Sequence, residues 1–585
     1  MREVVHSRIM AKEQEVASAE RLAAEGRIAS VESAVAEPGI EAHESSVEEL
    51  GKVPGESAAA ESDSGEVGCP ILMSVDELRC GRKLHIAPNG VDEEPVCLMH
   101  SKDPNKQSGP LFDAFWLEFE RILKDAGEGE AHFERFVFPQ LDFRERNFKA
   151  VFRFDRATFT QEADFRSATF AHLANFWNAT FTQNADFFAA TFMKDVNFAH
   201  AIFTQNANFS YATFTQYANF YDATFTQDAN FSRAVFTQDA EFGVATFTKD
   251  AEFVSTTFTK NAEFFRAAFT ENADFRQATL TQAAGFVYTE FHGMVNWRRS
   301  RFLDRADFRH TRFELKIAGH PSVMFARSNF TKPGEVVFDD VDLSRALFHN
   351  CDVSQVWFTS SVRWGKRENN RGLTIFEETI DLNQEFAKGL EKKGQRDYWA
   401  VAQIYQQLKK SYDSRLDYWT ANEFHFGEME MKRLAVPTDG PLLWLRRWWH
   451  RNLSFVAWYK YASDYGNSYG KPLAWLVGVL LAAALLFPIP GLELKQAGSG
   501  NAASSASVTY SSVWNRQDGW TNKFWAEAKL IGKSGITAID TATFQRTPEY
   551  APAYPWGRVV AIFETLLTSS LFALFLLAIR RQFRR

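Results

Sequence analysis

Phenylalanine recurs along "TFTQNADFFAATFMKDVNFAHAIFTQNANF", residues 180–209, at Phe181, Phe187, Phe192, Phe198, Phe203 and Phe209. The gaps alternate six, five, six, five and six. An amphipathic helix repeats its apolar face every three or four residues and a half-buried strand every two. Neither period fits, so the repeating unit is something else. The register is long. Phe133, Phe138, Phe143 and Phe148 step by five, and from Phe148 six and five alternate through Phe154, Phe159 and Phe165 to Phe286 and Phe291, with Leu280 substituting once. It holds at Trp297, Phe302, Phe308 and Phe313, blurs around "IAGHPSVMF", and returns in steps of five at Phe338, Leu343, Phe348, Val353 and Phe358.

A small residue stands two places before most of these aromatics, as at Ala163, Ala168, Ala174, Ala179, Ala185 and Ala190. If both positions point inward, five residues make one side of a square coil, and four sides, two of them with one residue more, close a turn of about 22 residues. The small residue leaves room for the ring, and stacked coils bury a phenylalanine ladder. Phenylalanine suits that place because it brings bulk without a polar handle, and the chain has 56 Phe against 15 Tyr.

The units "ADFFA" from Ala185 and "ANFSY" from Ala207 resemble the pentapeptide-repeat family, whose motif runs A-[DN]-[LF]-x-x. The resemblance covers residues 133–358 and implies a right-handed quadrilateral β-helix. The chain departs from the family pattern by an extra residue on alternate sides, as in "FTQNAD", which is expected to bulge at a corner as an inserted residue does in a strand. Coils stack about 4.8 Å apart, so the repeat predicts a rod about 50 Å long whose two ends need caps. Outward positions from Asp155 to Glu290 carry 15 acids and 8 bases, which predicts an acidic surface.

Around the solenoid of 131–360 the chain divides by composition. Residues 1–66 read as a disordered acidic leader rich in Glu, Ala, Ser and Gly, although a wrongly chosen start codon would produce the same stretch. The N-terminus shows no apolar segment of a cleavable signal. A Cys/His segment occupies 67–110, and "LFDAFWLEFERILKDA" predicts a capping helix within 111–130. After the rod, 361–440 reads as an α-helical hairpin with one stripe at Val401, Ile404, Tyr405, Leu408 and Tyr412, a pattern similar to a single helical-repeat hairpin. Residues 441–470 mix Trp with Arg and Lys and read as an interfacial amphipathic helix.

Two uncharged or nearly uncharged runs follow, at 472–492 and 559–579, the second with a single acid, Glu564. About 20 apolar residues cross a bilayer core. The sequence therefore predicts transmembrane helices at 471–492 and 558–585, the latter with a basic tail, joined by an external loop at 493–557. Arg446, Arg447, Arg451, Lys460 and Lys471 precede the first run and Arg580, Arg581, Arg584 and Arg585 follow the second, so both termini are expected in the cytoplasm. "SDYGNSYGKPLAWL" and the closing "RRQFRR" resemble the membrane-anchored bacterial branch of the same family, which implies a multi-pass protein of the inner membrane.

Few residues suggest chemistry. Cys69, Cys80, Cys97 and His100 have the ligand count of a structural zinc site, with two residues between Cys97 and His100. The longer spacings match no regular zinc finger, and packed or free thiols are the alternative. Cys351 occupies an inward small position and reads as packing. Glu564 is either a functional intramembrane acid or a group that reaches the headgroups. His425, Glu428 and Glu430 read as pairing between helices. The chain has no nucleophile elbow, phosphate loop, HExxH or dinucleotide fingerprint, so no enzyme activity and no cofactor beyond zinc is expected.

Three functions fit this organisation. The first is a non-catalytic, membrane-anchored scaffold whose rod binds an unidentified protein partner. The second is an oligomeric pore or sensor, although the loop carries no TVGYG-like filter. The third follows from the resemblance alone, namely DNA mimicry toward gyrase as in soluble relatives, which membrane attachment makes awkward. With 65 Lys+Arg against 73 Asp+Glu, the balance argues against nucleic acid as partner. Self-association is compatible with the first two.

Overall fold

The computed structural model describes residues 68–582 except 74–78, 316, 368–371, 393–394, 436–441, 495–506, 516, 518, 544–549 and 553. The acidic leader, nearly all of "GSGNAASSAS" and residues 583–585 lie outside the described residues.

Residues 130–358 wind into a four-sided β-solenoid of the right-handed type, about ten turns long. Its sides are parallel sheets of nine, ten, nine and eleven strands, met in that order as the chain climbs. Paired strands lie 22 residues apart in the repeat's centre, with Phe181 opposite Phe203 on side one and Ala185 opposite Ala207 on side two. On side three Phe170 faces Phe192, and on side four Val196 faces Ala218.

The interior is the ladder that the spacing predicts. Phe181, Phe187, Phe192 and Phe198 are all within 1% of complete burial, as are Ala179, Ala185 and Ala190. Rings in one column stack coil upon coil, as Phe203 does on Phe225 at 4.8 Å and Phe209 on Phe231 at 5.0 Å. Neighbouring columns meet edge to face, as Phe209 and Phe220 do at 5.4 Å. Both arrangements suit the ring quadrupole.

The corners are of two kinds, which accounts for the alternating gaps. At the five-residue corners the second residue after the aromatic has positive φ, as at Ala189 (φ 54), His200 (φ 59), Tyr211 (φ 59), Asp222 (φ 55) and Val244 (φ 60). Its N–H still joins the ladder, as Ala189 donates to Ser210 O at 2.9 Å. At the six-residue corners the extra residue lies in a bend that opens with threonine. That hydroxyl donates to the aromatic's carbonyl one coil below, Thr182 to Phe159 O at 3.1 Å and Thr204 to Phe181 O at 2.9 Å. The extra residue thus brings a side-chain cap for a carbonyl at the corner.

Helix α1 (Pro110–Ala126) lies over the first coil, with Phe119 stacked on Phe133 at 4.7 Å and on Phe143 at 5.2 Å. The other end is covered by an antiparallel pair, α2 (Tyr398–Ser414) and α3 (Tyr418–Leu434). Tyr412 stacks on Phe358 at 6.2 Å, its hydroxyl accepts the Trp364 indole N–H at 2.9 Å, and Ser411 donates to Val356 O at 2.6 Å. Both open ends of the ladder are therefore shielded from water.

Helices α4 (Leu443–Leu453) and α5 (Phe455–Ser463) follow, then α6 (Gly470–Leu486), α7 (Trp520–Ala542) and α8 (Pro555–Gln582). Here the expectation of two spans is corrected. Among the described residues one helix, at Pro555–Arg581, is long and apolar enough to cross a membrane. The first apolar run yields only the 17 residues of α6, about 26 Å of helix against a hydrocarbon core of about 30 Å. Its tail is lost because Pro488 and Pro490 cannot donate to a continuing helix. The chain turns there, and Leu492–Leu494 pairs antiparallel with Tyr550–Pro552. The segment read as an external loop holds α7, which packs against both α6 and α8.

Candidate metal centre and outer surface

Cys69, Cys80, Cys97 and His100 converge at the capped N-terminal end of the rod. Two local structures bring them together. Cys69 and Cys80 lie on two paired segments, in which Cys69 N–H donates to Arg82 O at 2.8 Å and Cys80 N–H to Ile71 O at 2.8 Å. Gly68 is obligatory there, because a Cβ on it would lie 2.5 Å from Gly81 O. Cys97 ends a strand, Val96–Cys97, that pairs with Leu84–His85. The chain then folds back so that the His100 and Ser101 N–H groups both donate to Cys97 O at 3.0 Å.

The four ligand atoms lie within 4.8 Å of one another. A tetrahedral zinc with sulfur at about 2.3 Å and nitrogen at about 2.0–2.1 Å sets sulfurs about 3.8 Å apart and sulfur from nitrogen at about 3.5 Å. Cys80 Sγ and Cys97 Sγ are 3.8 Å apart, and His100 Nδ1 lies 3.5 Å from Cys69 Sγ and 3.2 Å from Cys97 Sγ. Those three separations match edges of a metal-sized tetrahedron. Cys69, Cys97 and His100 are buried, as a closed structural site requires.

The surroundings orient the donors. His100 Nε2 lies 3.1 Å from Glu134 O, a pure acceptor, so Nε2 carries the proton and Nδ1 keeps its lone pair for a metal. Arg82 donates to Cys80 Sγ at 3.2 Å and pairs with Glu118 of α1 at 2.8 Å. The Cys97 thiol and the Arg82 guanidinium hold the Cys80 thiol well below its ordinary range. Cys97, donating that hydrogen bond and buried, is pushed up. A positive ion among three sulfurs would relieve that contest.

The remaining candidates separate. Cys351 is buried in the ladder, remote from this cluster. His425, Glu428 and Glu430 do not converge on one point. Glu428 joins Lys409 of α2 at 3.6 Å, Lys432 at 2.6 Å and His425 at 3.4 Å, whereas Glu430 reaches Arg433, Lys460 and the Tyr465 hydroxyl. Glu564 does not reach the end of its helix. It sits nine residues inside α8, is 4% exposed, and has no hydrogen-bond partner on either carboxylate oxygen.

The acids of the rod do not make one surface. Side two carries Asp164, Asp186, Asn208, Asn230, Glu252 and Asp274, and the opposite side four carries Asn197, Asn219, Glu241 and Glu263. Sides one and three are lined instead by Thr158, Thr180, Thr224, Thr169, Thr191 and Thr213. Several acids are already neutralised, Asp164 by Arg166, Asp274 by Arg276 and Glu271 by Lys249. The polar ladders also bond along the rod, as Asn197 Nδ2 does to Asn175 Oδ1 at 2.9 Å. Sequence reasoning counted charge but could not assign it to sides.

No curated protein and no solved structure matches the chain. A family model described as pentapeptide repeats (9 copies) matches residues 187–235 and 275–314, both within the coils. The rod of this chain is a pentapeptide-repeat solenoid.

Proposed function

We propose that the protein is a non-catalytic scaffold that holds a rigid pentapeptide-repeat rod at a membrane for protein–protein interaction. One observation carries this reading. The interior of the rod is filled by stacked rings and both ends are covered, so its outer surface is what it offers. That surface suits a partner with two unlike faces, one meeting hydroxyl ladders and the other carboxylate and amide ladders. The cysteine–histidine cluster holds a structural zinc that ties the N-terminal segment to the first coil.

Helix α8 is the anchor, with α6 packed along it. Arg581 donates to Tyr465 O at 2.7 Å, so the end of α8 lies beside the start of α6. Exposed Trp444, Trp448, Trp449, Phe455 and Trp458, interleaved with Arg447 and Arg451 on α4 and α5, suit a headgroup layer. The basic residues at that end of α8 favour a cytoplasmic side for the rod, and resemblance to the membrane-anchored branch points to a bacterial inner membrane.

The second reading, an oligomeric pore or sensor, is favoured by α7. Thr565 Oγ1, about 15 Å along α8 from its start, donates to Thr541 O at 3.3 Å. The helix before α8 therefore descends partway beside it instead of forming an outer loop. Replacing residues 470–582 with an unrelated membrane hairpin separates the two. If the scaffold reading holds, cross-linking in membranes captures the same partners with and without the exchange. Loss of those partners, with the exchanged protein present at normal level, would favour the pore.

A further inference from the structure

The groove between α6 and α8 contains a charge with no answer. Its walls are apolar, formed by Val479, Ala482, Phe563 and Leu567 among others, and it encloses about 480 Å³. Glu564 lines it, 4% exposed, its two carboxylate oxygens buried in the wall and unpartnered among the described residues. Among the described residues no Lys, Arg or His lines the groove, and the other side-chain oxygen there belongs to Ser570.

A buried carboxylate without a counter-charge is costly, and an acid in such a segment marks a site. Two features decide what answers it. Calcium takes six to eight oxygen ligands and magnesium about six, and one carboxylate plus one hydroxyl fall far short of that. A volume of 480 Å³ lies within the usual range for small-molecule sites of about 300–1,000 Å³. We infer that the α6–α8 groove binds an organic cation with an apolar body, whose charge pairs with Glu564 while its body covers the walls. This goes beyond the scaffold reading and does not depend on it.

The test uses the full chain in phosphatidylcholine nanodiscs, with tetraphenylphosphonium as probe. Equilibrium dialysis should show saturable binding at one probe per chain, above the background of nanodiscs without protein. Glu564→Gln should weaken it at least tenfold. Ala482→Phe should weaken it similarly by filling the groove while leaving the acid in place, and because Ala482 is exposed on the groove wall, that variant keeps the test informative where the first loses its fold. Binding that is unsaturable, unchanged in both variants, or displaced by calcium or sodium chloride as effectively as by the probe itself would overturn the inference, the last by making the site one for an inorganic ion.

Discussion

Phe181 and Phe203 stack face to face, their centroids 4.7 Å apart and their planes within 2°, although 22 residues separate them. Most coils repeat that relationship on each side, so the rod is held by many contacts between neighbours and few between distant parts. Damage to one ring is felt by the coils above and below.

Phe220 tests this directly. It is fully buried between Phe198 at 5.1 Å and Phe242 at 4.9 Å. Phe220→Asp places an unpaired charge in the ladder and should cost several kcal/mol. Tyr221, one residue on, points outward, so Tyr221→Asp should be mild. Thermal unfolding of a fragment spanning 68–435, which keeps both caps, should separate the two widely. Equal losses would refute the inward assignment.

The αL corners carry strain that one residue type aggravates. A non-glycine residue in that conformation costs about 1–2 kcal/mol, and Val244, at φ 60, adds a β-branch that crowds the backbone further. Asparagine tolerates the region better. Val244→Asn should therefore stabilise the same fragment by about 1 kcal/mol, seen as a rise in Tm of about 2 °C. A fall in Tm would show that Val244 contributes packing that outweighs its strain.

These two sites mark what was legible in the sequence. Phe220 belongs to a residue type repeated at a fixed place, so the coil, its register and its inward pairs could be read before any coordinates. The αL positions could not be, because Ala189, His200, Tyr211, Asp222 and Val244 share no chemistry and only the backbone unites them. Thr182 and Thr204 stood in plain view in "FTQN", yet their bond runs to a carbonyl of another coil, which no local spacing reveals. The metal-site residues were legible by type but not by distance, since Cys69 and Cys97 come from separate strands and loops. Charge-free length overstated the first span, because the two prolines after Phe487 stop the helix. Helix α7 was missed because Lys523, Lys529 and Lys533 break its apolar face.

Glu377 gives the rod's C-terminal end a pH dependence. It is fully buried, one carboxylate oxygen accepts the Phe348 N–H and the other has no partner among the described residues. Burial raises it to about 7 from an ordinary 4.5, against the pull of the backbone donors and Arg396. A carboxyl raised on folding contributes its full share below its unfolded value, and that share is lost as pH climbs through the folded value. Stability from this group is therefore complete below about pH 4.5 and falls between there and about pH 7. Glu377→Gln should be more stable than the parent by up to about 3 kcal/mol above pH 7, and the margin should close below pH 4.5. A margin independent of pH would remove Glu377 as its source.

The proposed zinc site makes the sharpest demand, because its four donors must act together. Three of the six separations among three sulfurs and one ring nitrogen match those around a tetrahedral metal, and Nδ1 is freed by the bond from Nε2 to Glu134 O. The 68–435 fragment should purify with about one zinc per chain, the stoichiometry of a closed four-ligand site. Cys97→Ser and His100→Ala should each lose the metal, and Cys351→Ser, buried elsewhere in the ladder, should keep it. Chelation should also lower the Tm, since binding energy at such a site is folding energy. The loss should appear first at the N-terminal end, where Arg82 links Cys80 to Glu118 on the capping helix, and hydrogen exchange should show α1 opening before the central coils. A fragment that purifies without metal, melts at the same temperature with and without chelator, and keeps α1 protected would mean that the four side chains pack as thiols and imidazole alone.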